Sequence, residues 1–124
     1  MKRLMLIALL AAPLTQAATR LEFDVWMRAI DSRIVSVQKH IAAGRTDQAV
    51  ADAQALQKLY ADMAGYFERD YPAADAVALS RDGERHAMAI PAHLAQGDPA
   101  AAVQAARAIA LACNDCHDPY KPFP

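Results

Sequence analysis

Two cysteines and one histidine near the end of the chain carry the most specific chemical pattern in the sequence. Cys113 and Cys116 are separated by two residues, and His117 follows directly. On a helix, residues at positions i, i+3 and i+4 lie on one face, so the two thiols and the imidazole can act on a single group. Three kinds of chemistry use this spacing: a disulfide, a metal site, or thioether attachment of a haem whose iron the histidine binds.

The surroundings of this motif favour the haem. A disulfide between Cys113 and Cys116 closes a very small loop and would be strained on a regular helix. A zinc site needs further ligands, and the chain has no second cysteine pair. A thioredoxin-like redox motif follows a strand, whereas an alanine-rich helical segment precedes Cys113 here. The motif therefore predicts covalent haem attachment, with His117 as the proximal iron ligand.

The first residues of the chain have the composition of an export signal. Residues 2 and 3 are basic, residues 4–12 are apolar, and small residues precede a predicted cleavage after Ala17. The apolar run is much shorter than the ~20 residues of a membrane-spanning helix, so no membrane span is expected in the mature chain. We therefore expect residues 1–17 to be a cleaved signal peptide and residues 18–124 to form one periplasmic domain.

Composition and charge narrow the fold class and exclude one class of partner. Of the 124 residues, 55% are hydrophobic and 22% are charged, which excludes a disordered chain. Only four glycines are present, too few for the many tight turns of an all-β fold. Thirteen Lys and Arg against fourteen Asp and Glu give a net charge of -1, so the chain lacks the basic excess that nucleic-acid binding requires. An all-α fold is expected.

Apolar residues recur every three or four positions in four segments, which predicts four amphipathic helices. Thr46 and Asp98 are predicted N-caps, and Pro91 is expected to kink the third helix. Because the connections are short, consecutive helices should be antiparallel, which gives an up-down-up-down four-helix bundle. The residues predicted to end the helices are Gly44, Tyr71 with Pro72, Gly97, and Pro119 with Pro122.

The C-terminal segment Cys113-Asn-Asp-Cys116-His117-Asp-Pro-Tyr120-Lys121 resembles the cytochrome c prime family, the class II c-type cytochromes. In that family the C-x-x-C-H motif lies near the end of the last helix of an exported four-helix bundle. An aromatic and a basic residue commonly follow two residues later. The resemblance implies one haem c per chain, held by both cysteines and the histidine. One branch of the family adds a methionine from the first helix and carries electrons, and the other leaves the sixth position open.

Topology selects Met27 as the candidate distal ligand. In an up-down-up-down bundle the end of the last helix lies beside the start of the first, and Met27 is about two turns into that helix. His40 lies roughly 20 Å further along the helix, and His93 belongs to the same far end, so neither can reach the iron. Met63 and His86 are expected closer to the end of the last helix. Met63 is expected to be core packing, and His86 a satisfied or partly exposed histidine.

These features together predict a periplasmic electron carrier that exchanges electrons with partner proteins through a haem bound by His117 and Met27. The main alternative is a five-coordinate binder of NO or CO, in which Met27 only packs. A helical adaptor without haem is a third possibility. No acid-base group stands out beside a substrate pocket, so no enzymatic activity is expected. A leftover apolar stripe on the surface would allow a homodimer.

Overall fold

Four helices and short connections form the part of the chain that the structure describes. The structure is a computed structural model and describes residues 19–120, the last four of them by their backbone alone. The helices are α1 (Arg20–Ala42), α2 (Thr46–Arg69), α3 (Ala74–Ala95) and α4 (Pro99–Tyr120). No strand occurs between residues 19 and 120, so the all-α prediction is confirmed. The predicted signal peptide and Lys121 lie outside the described residues.

Each helix packs against two neighbours in a closed ring. Contacts join α1 to α2, α2 to α3, α3 to α4 and α4 back to α1, while the diagonal pairs are not in contact through their backbones. Connections of three or four residues reverse the chain between consecutive helices. This arrangement is the expected four-helix bundle, and it brings the end of α4 beside the start of α1.

Two glycines end helices as predicted. Gly44 after α1 and Gly97 after α3 have φ angles of 70° and 71°, in the left-handed region that residues with a Cβ rarely adopt. Asp98 caps α4, because its Oδ1 accepts a hydrogen bond of 3.0 Å from the backbone N–H three residues later. The start of α1 has a capping box that sequence reasoning missed, in which Thr19 and Glu22 accept from each other's backbone N–H.

The predicted ends of α2 are wrong by one or two residues. Thr46 is the first helical residue and not the cap, and Arg45 holds the cap position without a side-chain hydrogen bond. The preceding turn already places the carbonyl of Arg45 to accept the first helical bond from Ala49, at 3.0 Å. α2 ends at Arg69, two residues before Tyr71. The N–H of Tyr71 turns back to bond the carbonyl five residues earlier, at 3.0 Å, which closes the helix.

Neither of two prolines ends its helix. Pro91 lies inside α3, which continues to Ala95, and α4 continues one residue past Pro119. Pro91 removes one backbone hydrogen bond from α3. Its neighbour Ile90 is fully buried, so core packing around Pro91 holds the helix together.

The core is apolar and contains many alanines, which let the helices approach closely. All four helices contribute to it. Its largest fully buried apolar side chains are Ile30, Val37, Leu56, Met63, Ile90 and Ile109.

Aromatic rings pack where α1 begins and α2 ends. The rings of Phe23 and Tyr66 are stacked with centroids 5.0 Å apart, and Phe67 meets Phe23 edge-on at 5.6 Å. The ring of Tyr66 also meets Trp26 edge-on and stacks with Tyr71, each with centroids 6.4 Å apart. Edge-on and offset arrangements are those that aromatic rings prefer, so this cluster stabilises one end of the α1–α2 pair.

A buried carboxylate joins α1 to α2 at the other end of the bundle. Asp52 of α2 is 3% exposed. It accepts hydrogen bonds from Arg33 at 2.7 Å and Ser36 at 2.6 Å, and Nδ1 of His40 lies 2.8 Å from its Oδ2. Burial raises the pKa of Asp52, but these three side chains outweigh burial, so its pKa lies below the ordinary value. His40 therefore contacts Asp52 at the end of the bundle away from Cys113 and Cys116, where the topology predicted it.

We expect the stability of the bundle to fall as the pH drops below about 4. A carboxyl with a lowered folded-state pKa stabilises the fold above its unfolded pKa, and that contribution is lost as the pH falls through the folded pKa. Asp52→Ala should lower the free energy of unfolding by about 1–3 kcal/mol at pH 7 and by less at pH 3. Urea unfolding at both pH values measures this. Asp62→Ala, which removes a surface ion pair with Lys58, is the control, and an equal effect of the two variants would contradict the expectation.

Candidate functional site

A cleft lies between all four helices in the half of the bundle that contains Cys113. The space between these helices, counted together with its opening to solvent, is about 410 Å³. The lining is mostly apolar. It consists of Met27 and Ile30 of α1, Tyr60 and Met63 of α2, Leu79, Ser80 and Gly83 of α3, and Ala112, Cys113 and Cys116 of α4.

The two cysteines of the motif are free thiols and both line this cleft. They are half-buried and one helical turn apart, and Sγ of Cys113 lies 3.5 Å from the carbonyl oxygen of Ile109. Burial raises the pKa of both thiols, and the negative charge of Asp31 adds to the effect on Cys113. Both thiols therefore lie on one face of α4, toward one apolar space.

His117 follows Cys116 within α4, and its backbone is helical. Its side chain is outside the part of the molecule that the structure describes, so its role as proximal ligand stays a prediction. Among the described residues, no three His, Cys, Asp or Glu side chains come together as a metal site.

Met27 lines the same cleft as the two thiols, as the level of this residue in α1 predicted. Met63 lines it as well and is only 2% exposed, so it belongs both to the core and to the cleft wall. His86 is half-buried and does not line the cleft. His40 and His93 lie in the last turns of α1 and α3, at the far end. Two methionines with thioether sulfurs, Met27 and Met63, thus line the cleft. The sequence pointed to Met27 as the ligand and to Met63 as core packing.

Tyr60 of α2 and Gly83 of α3 pack together in one wall of the cleft. A Cβ on Gly83 would lie only 2.6 Å from ring carbons of Tyr60, so the ring packs directly on the backbone of α3. Burial raises the pKa of Tyr60 far above its ordinary value, with smaller contributions from the nearby Cys113 and Cys116. A glycine inside a helix costs about 1 kcal/mol relative to alanine, so Gly83 was itself a signal of close packing.

Gly83→Ala should destabilise the protein by about 1–3 kcal/mol, although alanine is the better helix former. The added methyl group overlaps the ring of Tyr60, so the ring or the backbone of α3 must shift. In a Tyr60→Leu background the same change should cost less or become stabilising. Urea unfolding of the wild type, both single variants and the double variant measures this coupling, and additive effects would contradict the direct contact.

The chemistry of the lining fits a largely apolar group. Ser80 is one of its few polar residues, and its hydroxyl already donates to the carbonyl of Ala76 at 2.8 Å. The remaining functional atoms are the sulfurs of two cysteines and two methionines and the phenol of Tyr60. Thioether sulfur is a ligand that c-type haem iron uses, and thiols are its attachment groups. The donor set therefore fits haem c.

No protein-family model, no curated protein and no solved structure matches this chain. None of the helices in the described part of the chain is both long and apolar enough to cross a membrane. The function must therefore be inferred from the cleft and its residues.

Proposed function

We propose that this protein is a periplasmic c-type cytochrome that carries single electrons between partner proteins through one haem c in the cleft. The observation that supports the proposal best is the meeting of Met27 with Cys113 and Cys116 in one apolar space. Met27 and the two cysteines are far apart in the sequence, and the fold brings them together. A bound haem c supplies an iron that accepts and releases one electron.

Each side chain of the site has a separate task in this proposal. The thiols of Cys113 and Cys116 would hold the haem by adding across its two vinyl groups, each sulfur bonding to one vinyl carbon and each thiol hydrogen going to the other. This addition needs no oxidant. His117 and Met27 would hold the haem iron, one through its imidazole and the other through its thioether sulfur.

Binding through His117 and Met27 suits electron transfer. A neutral thioether favours reduced iron and raises the reduction potential. Both ligands belong to helices of one packed bundle, so little rearrangement accompanies each change of oxidation state. The residues around Met27 in the cleft are mostly apolar. Without a bond from Met27, the same apolar space would admit NO or CO, which is the alternative function.

The absorption spectrum of the exported, full-length protein tests the proposal. The protein should be red and should retain haem on a denaturing gel. Its reduced form should show sharp low-spin bands, and its oxidised form a weak band at ~695 nm from methionine ligation. Carbon monoxide should not bind readily at neutral pH.

Two results would contradict the proposal in different ways. A colourless protein produced with a working haem-attachment system would refute the cytochrome assignment. A high-spin spectrum with rapid formation of a carbon monoxide complex would refute electron transfer and support the gas-binding alternative.

A further inference from the structure

Four sulfur-containing side chains line the cleft, although they are far apart in the sequence. Three different helices supply them: Met27 lies on α1, Met63 on α2, and Cys113 and Cys116 on α4. Of the cysteines and methionines between residues 19 and 120, only Met88 lies outside this group. The fold therefore concentrates sulfur around one small space.

The two cysteines have the spacing to hold one ion between them. Residues three apart on a helix have Cβ atoms about 5–6 Å apart on one face, and both thiols are free and half-buried. A methionine side chain has three rotatable bonds and a polarizable sulfur, so it can adjust to a shared ion. Two thiols and two thioethers of the cleft are therefore available to one small cation.

The other residues of the lining offer few competing ligands. None of the described residues that line the cleft carries a carboxylate or an imidazole. The hydroxyl of Ser80 already donates to a backbone carbonyl. Zinc is bound by thiolate, imidazole and carboxylate, and magnesium and calcium are bound by oxygen. Thiolates combined with thioethers are instead soft ligands of the kind that select Cu(I).

We propose that the chain with free thiols binds one Cu(I) ion in the cleft, through the sulfurs of Cys113 and Cys116 with Met27 and Met63 completing the site. On binding, each thiol gives its proton to solvent and its sulfur bonds to the copper. The copper stays Cu(I), so no oxidant or reductant is needed. The site does not depend on haem. Covalent haem would turn both thiols into thioethers, so copper and haem would occupy the cleft one at a time.

Competition with a chromogenic Cu(I) chelator tests this site. The probe is Cu(I) alone, added without oxygen to the chain from residue 18 onward, produced without haem attachment and with its thiols reduced. Each chain should remove one Cu(I) from the chelator, and the Tm followed by circular dichroism should rise, because an ion bound to the folded chain stabilises it. A chain that takes up no Cu(I), or that gains neither structure nor stability at saturating Cu(I), would overturn the proposal.

The methionines show whether the ion lies in the cleft. Met27→Leu and Met63→Leu each remove one thioether and nearly preserve the volume, and each should weaken Cu(I) binding about tenfold or more. Met88→Leu is the matched control, because Met88 is 53% exposed on α3 and does not line the cleft. It should leave the Kd for Cu(I) unchanged. Equal effects of the three variants would overturn the proposal.

The cysteine variants and a second metal test the donor set. Cys113→Ala and Cys116→Ala should each weaken Cu(I) binding more than either methionine variant, because a charged thiolate is the stronger ligand. Zn(II) serves as the second probe, and whatever affinity the thiols have for it should be the same in Met27→Leu, since thioether is not a usual zinc ligand. An equal loss of Zn(II) and Cu(I) binding in Met27→Leu would contradict a site selective for Cu(I).

Failure of the copper site and failure of the proposed electron transfer give different results. An exported protein with covalent, methionine-bound haem whose free-thiol form takes up no Cu(I) would overturn the copper site alone. Uptake of Cu(I) with the expected dependence on both methionines, by a chain that never acquires haem, would overturn the cytochrome assignment and support the copper site.

Discussion

Replacing Met27 by alanine is expected to convert a low-spin, six-coordinate haem into a high-spin or water-bound one. Methionine is a weak neutral ligand that the surrounding fold holds in place. Alanine removes the sulfur and leaves a cavity beside Ile30, in a cleft that is already partly open. The reduction potential should fall, carbon monoxide should bind, and the ~695 nm band should disappear. Absorption spectra of both oxidation states, with and without carbon monoxide, measure these changes.

Met63 provides the matched control for this prediction. Both methionines line the cleft, so both should be replaced by leucine, which removes the sulfur and nearly preserves the volume. Met27→Leu should abolish methionine ligation, whereas Met63→Leu should leave the spectrum unchanged. The reverse outcome would transfer the ligand role from α1 to α2. A wild-type protein that is already high-spin and insensitive to both changes would contradict the electron-carrier proposal, with Met27 reduced to packing.

Removing both thiols is expected to abolish covalent haem attachment completely. With Cys113→Ala one thioether bond at most can form, and with Cys113→Ala and Cys116→Ala none can form. Haem bound only through His117 and Met27 should then leave the protein in acid and organic solvent. Extraction followed by the absorption of the aqueous and organic phases measures this. Covalent haem in the double variant would refute the role of the C-x-x-C-H motif.

The two single cysteine variants act as controls for the double variant. Both thiols are half-buried in the same cleft wall, so Cys113→Ala and Cys116→Ala should disturb packing to a similar, small degree. Each should retain haem through its remaining bond and shift the reduced band, because one vinyl group stays unreacted. Loss of all haem from either single variant would show that the two bonds do not form independently.

Much of the fold was predictable from the sequence because the signals are local. Helix stops at Gly44 and Gly97 and the cap at Asp98 each depend on the backbone within one turn. The predicted ends of α2 were less accurate, since the hydrogen bonds at the two ends of a helix depend on how the chain turns before and after it. The spacing of Cys113 and Cys116 also acts within one turn, so their common face followed directly.

The composition of the cleft wall beyond Met27 was decided only by the tertiary structure. Tyr60 and Met63 occupy an apolar stripe that any core helix would have, and nothing local shows that they meet the cysteines. The same is true of Asp52, whose three partners lie on another helix. Such contacts depend on the rotation and register of each helix against its neighbours. Rotation and register result from many weak packing contacts across the helix interfaces, so no short stretch of sequence determines them.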